Sequence, residues 1–307
     1  MSRIRMLLLA TLVPLLIVVG VLVAAAFDGG DGGSPRAAPP PLSRGYAPAG
    51  TERIDIGRGA RGAAVFRRGS AVDGPVVVFL HGWAAGGPRA YGAWIGHLAR
   101  SGATVIYPTY QVAPFVDTVS PLRNALAAIA AVVEELPSLR GRGRLVVAGH
   151  SAGGALAADY AASAPAAGLP SPAAVLSVYP GRSLPGIPPP IPTVSARNIP
   201  TGTRLLALAG DDDRVVGTSV AREIVRTATR AQATLRIVRD DAVDDHGAPQ
   251  RSDAAARRTF WKSLDRLIAA TGQKGHRTSS LSSTISTGQS ATGERRGPQR
   301  HSRAGRV

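Results

Sequence analysis

The chain has 307 residues, 44% of them apolar, which is enough for a sizeable core and excludes a wholly disordered chain. It has no cysteine, so disulfides, thiolate nucleophiles, Cys-ligated zinc and iron–sulfur clusters are excluded, while the compartment stays open. The net charge of +16 divides as +2 in residues 1–50, +8 in 51–270 and +6 in 271–307. No basic stripe interleaved with aromatics accompanies it, so no nucleic-acid partner is expected.

Taken in chain order, residues 1–5 carry Arg3 and Arg5 ahead of a 22-residue apolar run, Met6–Phe27. A helix rising about 1.5 Å per residue over that length spans a hydrocarbon layer of roughly 30 Å. With Asp28 and Asp31 after it, the expected arrangement is a single-pass membrane anchor with the rest of the chain extracytoplasmic. The alternative is a cleaved signal peptide ending near Ala24-Ala25-Ala26, and this too exports the remainder. Residues 28–50 are Gly- and Pro-rich and read as a linker. Residues 51–270 read as one domain. Residues 271–307, rich in Ser, Thr, Gly and Arg without apolar periodicity, read as a disordered basic tail.

Within the domain, Arg53–Ile56 and Ala63–Arg67 suit antiparallel edge strands. Val76–Leu80 is a continuous apolar run of strand length, followed by a helical stretch near Ala90–Arg100 and a strand at Ala103–Tyr107. Ser120 as N-cap and Pro121 at the first helical position open a helix with Leu122, Leu126, Ile129, Val133 and Leu136 on one face, ended by Pro137. Strand 144–148 leads into the small-residue helix Ala152–Ser163. Strands at Ala174–Tyr179, Arg204–Ala209 and Thr234–Val238 follow, with a helix around Thr218–Arg230 and a last one carrying Phe260, Leu264, Leu267 and Ile268. Apolar strands alternating with helices predict an α/β fold, a mostly parallel sheet with helices on both faces.

Gly149-His150-Ser151-Ala152-Gly153 satisfies G-x-S-x-G directly after a strand and directly before a helix. That context predicts a sharp, strained turn that presents Ser151 as a nucleophile. A serine needs a base. His150 lies inside the turn and points away from the attack path, His97 is within a helix, His276 and His301 are in the tail, and His81 ends the first parallel strand. His246 remains, in the 240–250 loop after the last strand. Loops at the carboxyl ends of parallel strands face one crevice, so it can meet Ser151 across 95 positions. The acid that orients the imidazole comes from Asp211-Asp212-Asp213 after the fifth parallel strand, with Asp213 chosen and Asp212 as the alternative. No metal site is expected of this run, which lacks a spaced carboxylate loop.

In the chain order Ser151…Asp213…His246, residues 51–270 resemble the α/β-hydrolase superfamily in its serine-esterase and lipase-like branch. Gly210-x-x-Asp213 followed by two valines matches the family's acid turn and supports Asp213. His81-Gly82-Trp83-Ala84-Ala85-Gly86-Gly87 looks like its oxyanion loop. The resemblance then implies an oxyanion hole from the backbone N–H groups of Trp83 and Ala152, each worth about 3–4 kcal/mol to the transition state.

Between the fourth and fifth parallel strands, Pro180–Pro200 has seven prolines in 21 residues and cannot form the helical lid of many relatives. Trp83, Tyr110, Tyr179 and Val215 are the candidates for the apolar walls of the crevice, and each reads equally well as core. The function implied is a membrane-tethered serine hydrolase of carboxylic esters, acting on a small-molecule ester or lipid and needing no cofactor. A thioesterase or peptidase with the same three residues is the alternative, and beyond that a non-catalytic binding protein of the cell envelope. Nothing in the sequence specifies an oligomeric state.

Overall fold

A computed structural model describes residues 45–69, 74–83, 85–112, 119–139, 145–183 and 191–282. The Met6–Phe27 segment, most of the linker, residues 184–190 and the tail from 283 onward lie outside the described residues. Among the described residues no helix is long and apolar enough to cross a membrane. The chain divides into two compact units, Met1–Thr271 and Gly272–Val307, and the sheet and the candidate site belong to the first.

The first unit is built on one eight-stranded sheet. Its strands are β1 (Glu52–Ile56), β2 (Ala63–Arg67), β3 (Val76–Leu80), β4 (Thr104–Pro108), β5 (Leu145–His150), β6 (Ala174–Val178), β7 (Arg204–Gly210) and β8 (Gln232–Val238). They lie side by side in the order β1-β2-β4-β3-β5-β6-β7-β8. The pairs β1–β2 and β2–β4 are antiparallel, as the edge-strand reading expects, and β4 through β8 pair in parallel.

Five helices cover the sheet: α1 (Gly92–Arg100), α2 (Pro121–Glu135), α3 (Ala152–Ser163), α4 (Ser219–Thr227) and α5. The last begins at Ala254–Ala256, passes through a π-helical turn at Arg257–Trp261 and continues as Lys262–Ser282. From β3 the chain first steps to β4 through α1, then returns across β3 to β5 through α2 and advances steadily to β8. Right-handed crossovers therefore put α1 on one face and α2, α3 and α4 on the other.

Strand alternation sorts the core accordingly. Val76, Val78 and Leu80 pack with the α2–α3–α4 layer, including Ile129, Val132, Leu156 and Ile224. Val77 and Phe79 pack with Trp94, Ile95 and Leu98 of α1 and with Phe260, Trp261 and Leu264 of α5.

Several local expectations are corrected. Ser120 does stand at the N-cap of α2, but its side chain makes no capping bond; the hydroxyl accepts from Arg123 at 2.6 Å. The buried stripe of α2 is Ala125, Ala128, Ile129, Val132 and Val133, with Leu122, Leu126 and Leu136 only partly buried at its flank. Helix α5 runs on to Ser282, into the stretch read as tail. Once Phe260 and Leu264 anchor its first turns in the core, adding further turns costs little beyond the nucleus already formed.

Between β6 and β7 the described residues hold only a 3₁₀ turn, Ala196–Asn198, and no helical lid. This connection is fastened to α3 by a buried two-pronged ion pair, Arg182 to Asp159, at 2.7 and 2.8 Å.

Candidate active site

The candidate site sits where the chain reverses its direction across the sheet, at the carboxyl ends of β3 and β5, the place where an open α/β sheet leaves a crevice. Ser151 follows β5 with φ 57° and ψ −122°, outside the regions open to most L-residues. Backbone bonds hold it there: its N–H donates to Val178 C=O at 3.0 Å, and its C=O accepts from Gly154 at 2.9 Å, Gly181 at 3.1 Å and Ala155 at 3.2 Å. The flanking glycines are required by space. A Cβ at Gly149 would collide with the backbone of Gly153, and one at Gly153 with the carbonyl oxygens of Leu80 and His81. Tyr110 (φ 35°) and Tyr179 (φ 46°), after β4 and β6, are the other described non-glycine residues at positive φ. Backbone strain is thus concentrated along this one edge of the sheet.

Three predicted side chains meet here. Ser151 Oγ lies 3.0 Å from His246 Nε2, and His246 Nδ1 lies 2.8 Å from Asp213 Oδ2. The second carboxylate oxygen of Asp213 accepts from the N–H groups of Val215 at 3.0 Å and Val216 at 3.1 Å. Three N–H donors therefore converge on a fully buried carboxylate, which holds its plane and, through it, the ring. Because a carboxylate only accepts, Nδ1 carries the imidazole proton and Nε2 presents its lone pair to the serine hydroxyl. Asp212 and Asp211 are exposed and pair instead with Arg214 and Arg239. Gly210 sets the spacing between acid and base loops, since any side chain there would strike the carbonyl of Asp244.

The loop after β3 lies against the serine. A Cβ at Gly82 would stand 3.3 Å from Ser151 Cβ, and Trp83 is the second residue of a turn closed by Ala85 N–H on Gly82 C=O at 3.2 Å. Ala152 is the first residue of α3, whose N–H belongs to the helix's unpaired first turn. The two residues expected to supply oxyanion donors thus lie one residue after Gly82 and one after Ser151.

The expected crevice walls are corrected in part. Val215 is half-buried beside Asp213, whose carboxylate accepts from its N–H, but Trp83 belongs to the buried core and Tyr110 and Tyr179 have no exposed surface. Tyr110 stacks on His81 at 4.0 Å between ring centroids and donates its hydroxyl proton to His81 C=O. Tyr179 donates to Val243 C=O at 2.6 Å, beneath the loop that carries His246. Both buttress the site from below.

Reading the sequence also missed a buried part of the site. His150 points into the interior, with Nδ1 2.8 Å from the Tyr91 hydroxyl and Nε2 2.9 Å from His246 C=O. Burial drives its pKa well below the ordinary histidine value, reinforced by the neighbouring His246. The only hint in the sequence was a polar ring placed at the buried end of a central strand, where it must find partners; nothing local names Tyr91 or His246 as those partners.

Among known proteins, a family model described as alpha/beta hydrolase fold matches residues 77–214, from β3 to just past Asp213 and short of His246. No curated protein matches the chain by sequence. Esterase B from Lactobacillus rhamnosis, solved with a tributyrin phosphonate inhibitor, is similar in structure at 15% identity and TM-score 0.57, covering 77% of this chain and 91% of that one. A fungal esterase from Rhizomucor miehei aligns at 18% identity and TM-score 0.57 over 75% of this chain and 86% of its own. A thermostable esterase from Pseudomonas putida aligns at 20% identity and TM-score 0.54, over 72% and 83% respectively. At these identities the likeness establishes the shared fold.

Proposed function

We propose that this chain, whose fold is that of the α/β hydrolases, is a serine hydrolase cleaving carboxylic esters through an acyl-enzyme. The observation that carries this reading is the 3.0 Å approach of Ser151 Oγ to His246 Nε2 on a strained turn that projects the hydroxyl.

Ser151 attacks the acyl carbon while its proton passes to His246 Nε2. Asp213 holds the tautomer and stabilises the imidazolium. The N–H groups of Ala152 and Trp83 donate to the tetrahedral oxygen. Collapse expels the alcohol, which takes the proton from His246. Water, deprotonated by the same ring, then attacks the acyl-enzyme and releases the acid with Ser151 restored.

A small-molecule ester or lipid suits this chemistry, and the esterases among the similar structures support it. The reading extends to placement: the apolar Met6–Phe27 segment exports the domain and tethers it to the membrane.

The test is covalent labelling by a fluorophosphonate. The wild-type chain is expected to label and Ser151→Ala to stay unlabelled, while His246→Asn slows ester hydrolysis by about 10⁶-fold. Labelling that persists in Ser151→Ala overturns the assignment. On matched substrates the ester is expected to turn over fastest; preference for the thioester or amide would move the reading to a thioesterase or peptidase.

A further inference from the structure

The 239–247 loop carries His246 yet is polar and largely exposed, so something beneath must hold it to the 3.0 Å contact with Ser151. A continuous chain of hydrogen bonds, buried except where it meets the loop, runs under it. His150 Nε2 lies 2.9 Å from the backbone carbonyl of His246, and His150 Nδ1 lies 2.8 Å from the Tyr91 hydroxyl. The Tyr91 oxygen lies 3.1 Å from the backbone nitrogen of Gly82.

The direction of each bond is forced. The carbonyl of His246 only accepts, so Nε2 carries the proton and Nδ1 has the lone pair. Tyr91 therefore donates to Nδ1, and its oxygen accepts from Gly82 N–H. The protonation states agree with that direction: burial pushes the Tyr91 hydroxyl up to about 12, outweighing its bonds to Gln250 and Gly82, and keeps His150 neutral.

We propose that His150 and Tyr91 are positioning residues, a buried brace that locks the loop of the base to the loop of the oxyanion donor across the strained serine turn. The proposal rests on reading Ser151 as nucleophile and His246 as base. A histidine that merely fills the core would need partners, but nothing would require those partners to be the backbone of the base itself and, through one tyrosine, the residue next to Trp83. Neither brace residue touches the reacting atoms, so its loss shifts geometry while leaving the chemical groups in place. A misplacement of about 1 Å costs turnover more than binding.

Three variants of the full-length protein test this. His150→Leu removes both bonds and is expected to lower kcat roughly 10–100-fold with KM changed less than about threefold. His150→Gln, whose amide nitrogen reaches the place of Nε2 and can donate to His246 C=O, is expected to recover most of the loss. Tyr91→Phe leaves the His246 carbonyl bonded but frees Gly82.

Hydrogen exchange of backbone amides supplies a readout independent of turnover. Exchange in 239–250 is expected to quicken in His150→Leu, and exchange at Gly82 in Tyr91→Phe. Unchanged kcat in a folded His150→Leu, equal losses in the Leu and Gln variants, or unaltered exchange in both loops would overturn the brace. Should His150→Leu fail to fold, Tyr91→Phe decides by the Gly82 exchange alone. Failure of the nucleophile assignment is recognised separately, by labelling that survives Ser151→Ala.

Discussion

At the scale of single residues, His81 illustrates how burial outweighs hydrogen bonding. Its ring nitrogens face the carbonyls of Gly82 at 2.7 Å and Thr109 at 2.8 Å, an environment that on its own favours the imidazolium. The ring is fully buried, and desolvation dominates, lowering its pKa to about 4. His150 shifts in the same direction for the same leading reason. The unfolded chain therefore binds more protons than the folded one between about pH 6.5 and pH 4. Stability from His81 is fully present above its unfolded pKa and is lost as pH falls toward the folded value, by about 3 kcal/mol in total. Thermal melts from about pH 8 to about pH 4.5 are expected to show a level Tm that drops steeply below pH 6.5, with a shallower drop in His81→Gln. A Tm that stays level through that window would refute the neutral, buried assignment.

At the scale of elements, the site depends on how closely α3 can approach the sheet. The helix begins Ala152-Gly153-Gly154, and every residue from Ala152 to Ala162 is buried, so it turns no face to solvent over that length. A fully buried helix of small residues lets its first turn reach the ends of β3 and β5. Gly153→Ala puts a methyl into the carbonyls of Leu80 and His81, which are backbone atoms at the end of the central strand and cannot move without disturbing the oxyanion loop. This substitution is expected to cost about 3 kcal/mol or more, read from the urea midpoint, and to abolish turnover. An active Gly153→Ala of wild-type stability would mean that the packing at the turn is looser than described.

At the scale of the whole molecule, the order of strands converts sequence separation into proximity. Ser151, Asp213 and His246 each follow a parallel strand, β5, β7 and β8, and all parallel strands end on one edge. The proposed tether acts at this scale too, because it decides which side of a membrane the crevice faces. Sequencing the N-terminus of the mature, membrane-extracted protein is expected to read the start of the chain ahead of Met6. A new terminus at Phe27, with the protein free in the medium, would replace the anchor by a cleaved signal peptide.

The amino-acid sequence by itself determined the alternation of strands and helices, the turn at Gly149–Gly153 and the three side chains that meet there. Hydrophobic periodicity, a tight turn and the side on which parallel strands end are local or topological facts, and each leaves a mark on neighbouring residues. Asp213 was separable from Asp212 only through a pattern of flanking residues; in space the separation is plain, because one carboxylate is buried under two backbone N–H groups and the other pairs with Arg214 in solvent. Tyr110 and Tyr179 read equally well as crevice walls, and only the tertiary structure placed them below the site. The bonds from His150 to Tyr91 and to the carbonyl of His246 span 59 and 96 positions and were decided by packing alone. A buried polar group must find partners, but its own sequence says nothing of which ones until the chain has closed around it.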